Sequence, residues 1–270
     1  MTLTFSRGLF LLLICVIASG RVHARAASSS LPAADWQISA GLGLLIGPRY
    51  PGAATVRALP IPAFDARNGA VFFNGREGLG VDLLEIEDLR GGAAMFFRSG
   101  RKESDDRLRL AGLADIDVVP QARLFAVQSW RAIQVRAVVG RDLGGGDGTT
   151  LDLDASLTIR LGDRIRLSAG PQAAFGDGRF MRTYFGIAPG RARPAYGMNA
   201  GLYQAGMGAG LFTRVGQRWA MGGSVSANWL QGPAARSPVV GARAQISGGL
   251  FLTYAFKTGD PGNGRPRYGQ

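Results

Sequence analysis

Between Thr150 and Phe175 the sequence alternates apolar and polar residues over two consecutive limbs, and this pattern limits what the chain can become. Leu151, Leu153, Ala155, Leu157, Ile159 and Leu161 fall on one face; Asp152, Asp154, Ser156, Thr158 and Arg160 fall on the other. A period of two marks a strand whose faces meet different surroundings. After Gly162-Asp163-Arg164 it returns, with Ile165, Leu167, Ala169, Pro171, Ala173 and Phe175 against Arg166, Ser168, Gly170, Gln172 and Ala174. Both limbs exceed the usual five or six residues of a globular strand. A strand of about ten residues, apolar on one side and charged on the other, suits a tilted crossing of a bilayer. An amphipathic hairpin in a soluble sandwich has the same pattern, so the rest of the chain decides.

The N-terminus reads as a secretory signal over residues 1–26. Arg7 supplies the positive start, Leu9 to Ser19 a short apolar region, and Val22-His23-Ala24 or Ala24-Arg25-Ala26 a small-residue cleavage site. The apolar run is too short for a transmembrane helix, and Ile14 before Cys15 is too large for a lipoprotein site. Cys15 and His23 are the only Cys and His, and both lie inside this segment. What remains cannot assemble a Ser/His/Asp or Cys/His nucleophilic site, and it lacks the usual zinc ligands. No cofactor or metal is expected, and the chain is read as non-enzymatic.

The formal charge is +12, and with Arg7, Arg21 and Arg25 removed a surplus of about +9 stays. No basic run or aromatic-basic interleave resembles a nucleic-acid module, so nucleic acid is not an expected partner. Attraction to anionic envelope lipids or murein-associated partners explains the surplus; scattered solvated arginines explain it equally. After residue 26 no apolar run approaches the length of a membrane helix. Secretion, 41 glycines and alternating strands together point to the outer membrane of a Gram-negative bacterium.

The fold expected is all-β: a transmembrane antiparallel up-and-down barrel over residues 27–256, followed by a disordered Gly/Pro/Arg-rich tail over 257–270. Strands are expected at Trp36–Gly47, Val56–Arg67, Ala70–Leu84, Gly92–Ser99, Val118–Gln128, Arg131–Gly140, the two limbs above, Leu202–Arg214, Trp219–Trp229 and Val240–Phe256. Pro60 and Pro62 should make the second of these irregular at its top. Tyr203, Met207 and Leu211 are assigned to the lipid side, as are Trp219, Met221, Val225 and Trp229.

The short turns at Asn68-Gly69, Ser129-Trp130, Gly162–Arg164 and Gly216–Arg218 should all face the periplasm. The strands before Arg101 and into Ser129 would then both descend, which requires an ascending strand between them. The weakly alternating Arg107–Ala114 supplies it, for about twelve strands. If that segment is a loop or helix, about ten remain.

Four stretches stand out: Tyr50-Pro51-Gly52 with Arg57 and Pro60-Ile61-Pro62; Phe72-Phe73 with Gly78-Leu79-Gly80; Tyr184-Phe185-Gly186-Ile187; and Trp229-Leu230-Gln231-Gly232 running to Ser237-Pro238-Val239-Val240. In their order and spacing they resemble the MipA/OmpV family of outer-membrane proteins. The resemblance covers about Trp36 to Phe256. The sequence departs from it in ending at Gln270, not on the aromatic Phe256, and in lacking an acid within Gly232–Arg236. The resemblance implies a scaffold that ties murein synthesis and hydrolysis machinery, a lytic transglycosylase and a synthase, to the outer membrane. A small solute channel is the alternative. A lipid-modifying barrel enzyme is a third reading, disfavoured by the lack of His after residue 26.

Candidate site residues follow from the alternation. Arg136, Asp152, Asp154, Arg160, Arg166 and Arg243 should point into the lumen, either lining a pore or pairing with one another to fill it. In the long connection from Gly176 to Met198, Arg179, Arg182, Arg191 and Arg193 are placed to meet lipopolysaccharide phosphates. Gly144–Gly148 resembles one copy of a calcium-binding repeat, but with no stacked neighbour it reads as an outer loop. Gly75, Gly78 and Gly80 open no helix and form no phosphate cradle.

Overall fold

The computed structural model describes residues 36–144, 148–190 and 194–256. The expected signal, the tail, Arg191, Arg193 and the centre of the Gly144–Gly148 loop lie outside them. Twelve antiparallel strands form one closed barrel. They are β1 (Gln37–Pro48), β2 (Val56–Asn68), β3 (Val71–Asn74), β4 (Gly78–Ile86), β5 (Leu89–Arg98), β6 (Val119–Trp130), β7 (Ile133–Asp142), β8 (Thr149–Leu161), β9 (Ile165–Gly176), β10 (Gly201–Val215), β11 (Trp219–Leu230) and β12 (Ala244–Ala255). Each pairs with its sequence neighbours, and β1 closes on β12. Closure leaves no edge across most of the wall, the condition for a sheet to live in lipid.

Registers carry one face unbroken round the barrel. Leu42 opposes Pro62 and Leu252, Met207 opposes Pro171, and Leu124 opposes Val139. These rows make an exposed apolar belt that includes Leu42, Phe97, Leu124, Leu157, Val225 and Leu250. Trp36, Trp130 and Trp219 stand at the short-turn end of the belt, and Trp219 packs edge-on against Tyr254 at 5.0 Å. That is an interfacial aromatic girdle.

The count agrees with the expectation, but its components are exchanged. Ala70–Leu84 is not one strand. Asn74 accepts hydrogen bonds from the backbone N–H groups of Arg76 (3.0 Å) and Glu77 (2.8 Å), and Gly78 follows at φ +92°, so the chain reverses there into the β3–β4 hairpin. Arg107–Ala114 is not a strand either. Asp106 caps a helical turn, α1 (Arg107–Leu110), by accepting from Arg109 N at 3.1 Å. Leu110 and Leu113, one turn apart, are buried while Leu108 is exposed, so the period there is helical. The parity of the short turns requires one more strand, and the β3–β4 hairpin supplies it, so the barrel has twelve strands and not ten.

Other corrections are local. The β6–β7 turn is Arg131-Ala132, with Arg131 at φ +50°. β2 pairs β1 without a register shift from Val56 to Arg67, despite Pro60 and Pro62. A shift between Leu202 and Gln204 turns Tyr203 inward, where it is 6% exposed. The last strand starts at Ala244, so Val240 and Ala242 belong to the preceding loop. The long connection after β9 contains a helix, α2 (Gly178–Phe185), capped by Asp177 accepting from Phe180 N at 2.7 Å.

Candidate functional site: the barrel lumen

Inward positions along β3 to β8 carry large and charged side chains. The β3–β4 turn brings Arg76 and Glu77 inward against the facing wall. Arg136 on β7 donates from Nε and Nη2 to the two oxygens of Glu77, both at 2.9 Å, and from Nη1 to Asp154 at 3.1 Å. Arg76 donates to the other oxygen of Asp154 at 2.8 Å. Nearer the long loops, Asp142 accepts from Arg98 at 3.2 Å and from Gln121 at 2.9 Å. Towards the short turns, Asp82 sits between Arg67 (2.6 Å) and Arg90 (3.3 Å), whose guanidinium groups lie over Phe72 and Phe125. Those rings pack with Ala94, Val127 and Val138 into a small core. Buried charges persist only when paired, and here Glu77, Asp82, Asp142 and Asp154 each accept two hydrogen bonds, although the second oxygen of Asp142 is buried without a partner.

The opposite wall is built from small residues. Ser156, Ser168, Gly170, Gly208, Gly210, Ser224, Ser226 and Ser247 leave a cavity of about 620 Å³, bounded also by Leu45, Arg57, Leu59, Arg76, Ser99 and Asp154.

Long loops pack into a dome over one end. Tyr50 donates to Val239 O at 3.1 Å and to Asp106 at 3.2 Å. Burial and the Asp106 carboxylate raise its phenol to about 12. Ser237 donates to Phe185 O, Arg101 donates to Tyr184 O at 2.9 Å, and the Gln245 side chain accepts from Gly52 N at 2.9 Å. Phe180, Tyr184, Phe185 and Tyr203 stack into one aromatic cluster, with Phe180–Tyr184 centroids 4.6 Å apart. Burial pushes the Tyr184 phenol up as well. The stretches Tyr50–Gly52, Tyr184–Ile187 and Ser237–Val240, far apart in sequence, meet here.

Arg136 and Asp154 thus sit in one network, and Asp152, two residues along the same face of β8, lies in the field of Arg98, Arg123 and Arg136. Arg160 and Arg166 are elsewhere: they are cross-strand partners beside the short-turn end. Arg243 is a correction. It precedes β12, is exposed, and donates to Ala235 O at 3.0 Å in the dome, because the loop persists to that residue. Arg179 and Arg182 are exposed on α2. Sequence reasoning missed Arg76 and Glu77 with the hairpin that carries them. It also missed Arg98, Gln121 and Asp142, although inward parity on β5, β6 and β7 marks all three.

Several solved barrels are similar at low identity. OmpT of Vibrio cholerae is 10% identical, covering 85% of this chain and 99% of that one with a TM-score of 0.33. OccAB3 of Acinetobacter baumannii is 9% identical, covering 83% and 100% with a TM-score of 0.33. The CymD monoaromatic hydrocarbon channel is 10% identical, covering 82% and 89% with a TM-score of 0.36. No curated protein matches. The family model described as MltA-interacting protein MipA matches residues 20–256, and the chain therefore belongs to the MipA family of barrel proteins.

Proposed function

We propose that this barrel is a non-enzymatic anchor in the Gram-negative outer membrane that holds a murein-remodelling enzyme at its periplasmic face. The observation that carries the reading is the asymmetry of the two ends. The long-loop end is covered by the packed dome. The short-turn end, which faces the periplasm by the rule for bacterial barrels, gathers Arg160, Arg166 and Arg214 on neighbouring strands, with Arg131, Arg164 and Arg218 in or beside the turns. A basic rim fits an acidic protein surface or the carboxylates of murein peptides. The family description, which names interaction with MltA, supports a lytic transglycosylase as partner and is compatible with a synthase alongside it.

The absence of His and Cys after residue 26 supports a non-catalytic role. On the outer side Arg179 and Arg182, exposed on α2, are suited to lipopolysaccharide phosphates. A small channel is the second reading, favoured by the 620 Å³ cavity.

Affinity purification from detergent-solubilised envelopes, followed by identification of bound lytic transglycosylases, tests the anchor. Specific recovery, lost at high salt, is expected; a barrel that recovers none sinks the reading. Single-channel recording of the refolded chain separates the alternative, since reproducible conductance steps would move the channel ahead.

A further inference from the structure

The wall is complete at the short-turn end and interrupted above it. β2 pairs β1 along its whole length, from Val56 to Arg67, but pairs β3 only at Asp65–Asn68. The β3–β4 hairpin is too short to follow it further. On the other flank β4 reaches β5 only as far as Met95, leaving Phe96, Phe97 and Arg98 paired to β6 alone. Among the described residues, Val56 to Phe64 therefore have no strand on that side, an open edge of roughly 25 Å at the usual rise per residue.

Two features mark this edge as built. Pro60 and Pro62 lie within it, and proline in a sheet is confined to edges, where it blocks addition of another strand. Leu59, opposite Leu45 on the luminal face, is 45% exposed and Leu45 is 46% exposed, so the cavity beside the gap has an apolar lining open to it. The gap also meets the cavity: Arg57 and Leu59 from β2, Arg76 from the hairpin tip and Ser99 beyond β5 bound both. It starts at the long-loop end of β2 and so opens towards the outer leaflet.

We propose that this gap is a lateral portal through which a single-chain amphiphile with an acidic head passes between the outer leaflet and the luminal cavity. The chemistry follows from the lining. Leu45 and Leu59 offer an apolar track, Arg57 stands where a carboxylate or phosphate head would arrive, with Arg76 beside it held by Asp154, and the serine wall accepts the hydration that follows it. A volume of about 620 Å³ takes one acyl chain and is too small for a whole two-chain phospholipid. The portal does not depend on the anchor reading, since neither the dome nor the basic rim forms part of it.

The test uses the full chain in liposomes with spin-labelled dodecanoate as probe. Saturable immobilisation of the probe, competed by dodecanoate and not by acetate, is expected. Gly208→Phe fills the cavity floor and should weaken binding at least tenfold. In a Cys15→Ser background, Leu59→Cys with Ser99→Cys, joined by bismaleimides of graded length, should slow uptake at least tenfold relative to the unjoined variant. Probe bound with no saturation, or equally by Gly208→Phe, would mean that it reports only lipid contact and overturns the site. Uptake unchanged by the bridge would overturn the lateral route in favour of an axial one.

Discussion

Arg136 on β7 grips Glu77 at the tip of the β3–β4 turn through two parallel hydrogen bonds of 2.9 Å. The fork matches the carboxylate edge, and the two side chains are only 10% and 4% exposed. The contact ties the one hairpin that stops short of the outer rim to the far wall of the barrel. Removing one partner strands the other. Glu77→Gln or Arg136→Gln should cost about 3–5 kcal/mol, read as a lower urea midpoint in tryptophan fluorescence. The double variant should lose less than the sum of the two. Strict additivity would show that the pair is not coupled.

Tyr50 joins three parts of the dome by bonding both Val239 and Asp106. Its phenol is raised from 10.0 to about 12, so the folded state prefers the protonated ring. That contribution is fully present below pH 10 and is lost as the pH rises through about 12. Tyr50→Phe should lose about 0.5–1.5 kcal/mol at neutral pH. It should also remove one phenol titrating near 12 from the phenolate absorbance titration; a titration identical to that of the parent chain would refute the assignment.

Leu124 and Arg123 are adjacent on β6 and face opposite solvents. Leu124→Arg puts a charge into lipid and should cost about 2–4 kcal/mol near the midplane, measured as reversible unfolding in liposomes. The same residue type placed at luminal Ser226 should cost well under half of that. Equal costs at both sites would contradict the registers.

The basic rim yields a binding prediction. Arg160→Gln, Arg166→Gln and Arg214→Gln combined should leave the barrel folded by heat-modified gel mobility and reduce recovery of a lytic transglycosylase at least fivefold. Recovery unaffected by the triple change would move the partner site away from this end.

The alternation was legible wherever both faces of a strand run long, as on β8, β9 and β11, because lipid and lumen impose opposite polarity on successive residues. It failed where one residue broke the count. Tyr203 was assigned to lipid because a single bulge reverses parity and leaves no mark in a Gly-rich strand. At Arg107–Leu110 two alternating leucines imitate a strand, while the capping Asp106 and the spacing to Leu113 carry the helical signal. The β3–β4 hairpin has its cue in Asn74 followed by Gly75 and Gly78, a turn signal inside an apolar stretch long enough to be a single strand.

By itself the sequence determined the class of fold and its solvent. Period-two strands of about ten residues with an apolar face can satisfy their backbone in lipid only by closing into a barrel. The parity of the short turns limited the strands to about twelve or ten, and the β3–β4 hairpin decided for twelve. Which charges meet was decided only by tertiary structure. Glu77 reaches Arg136 across 59 residues of chain, Tyr50 reaches Val239 across 189, and the open edge beside Pro60 arises from the shortness of a different hairpin. Contacts of that separation depend on barrel stagger and loop packing, which local periodicity does not encode.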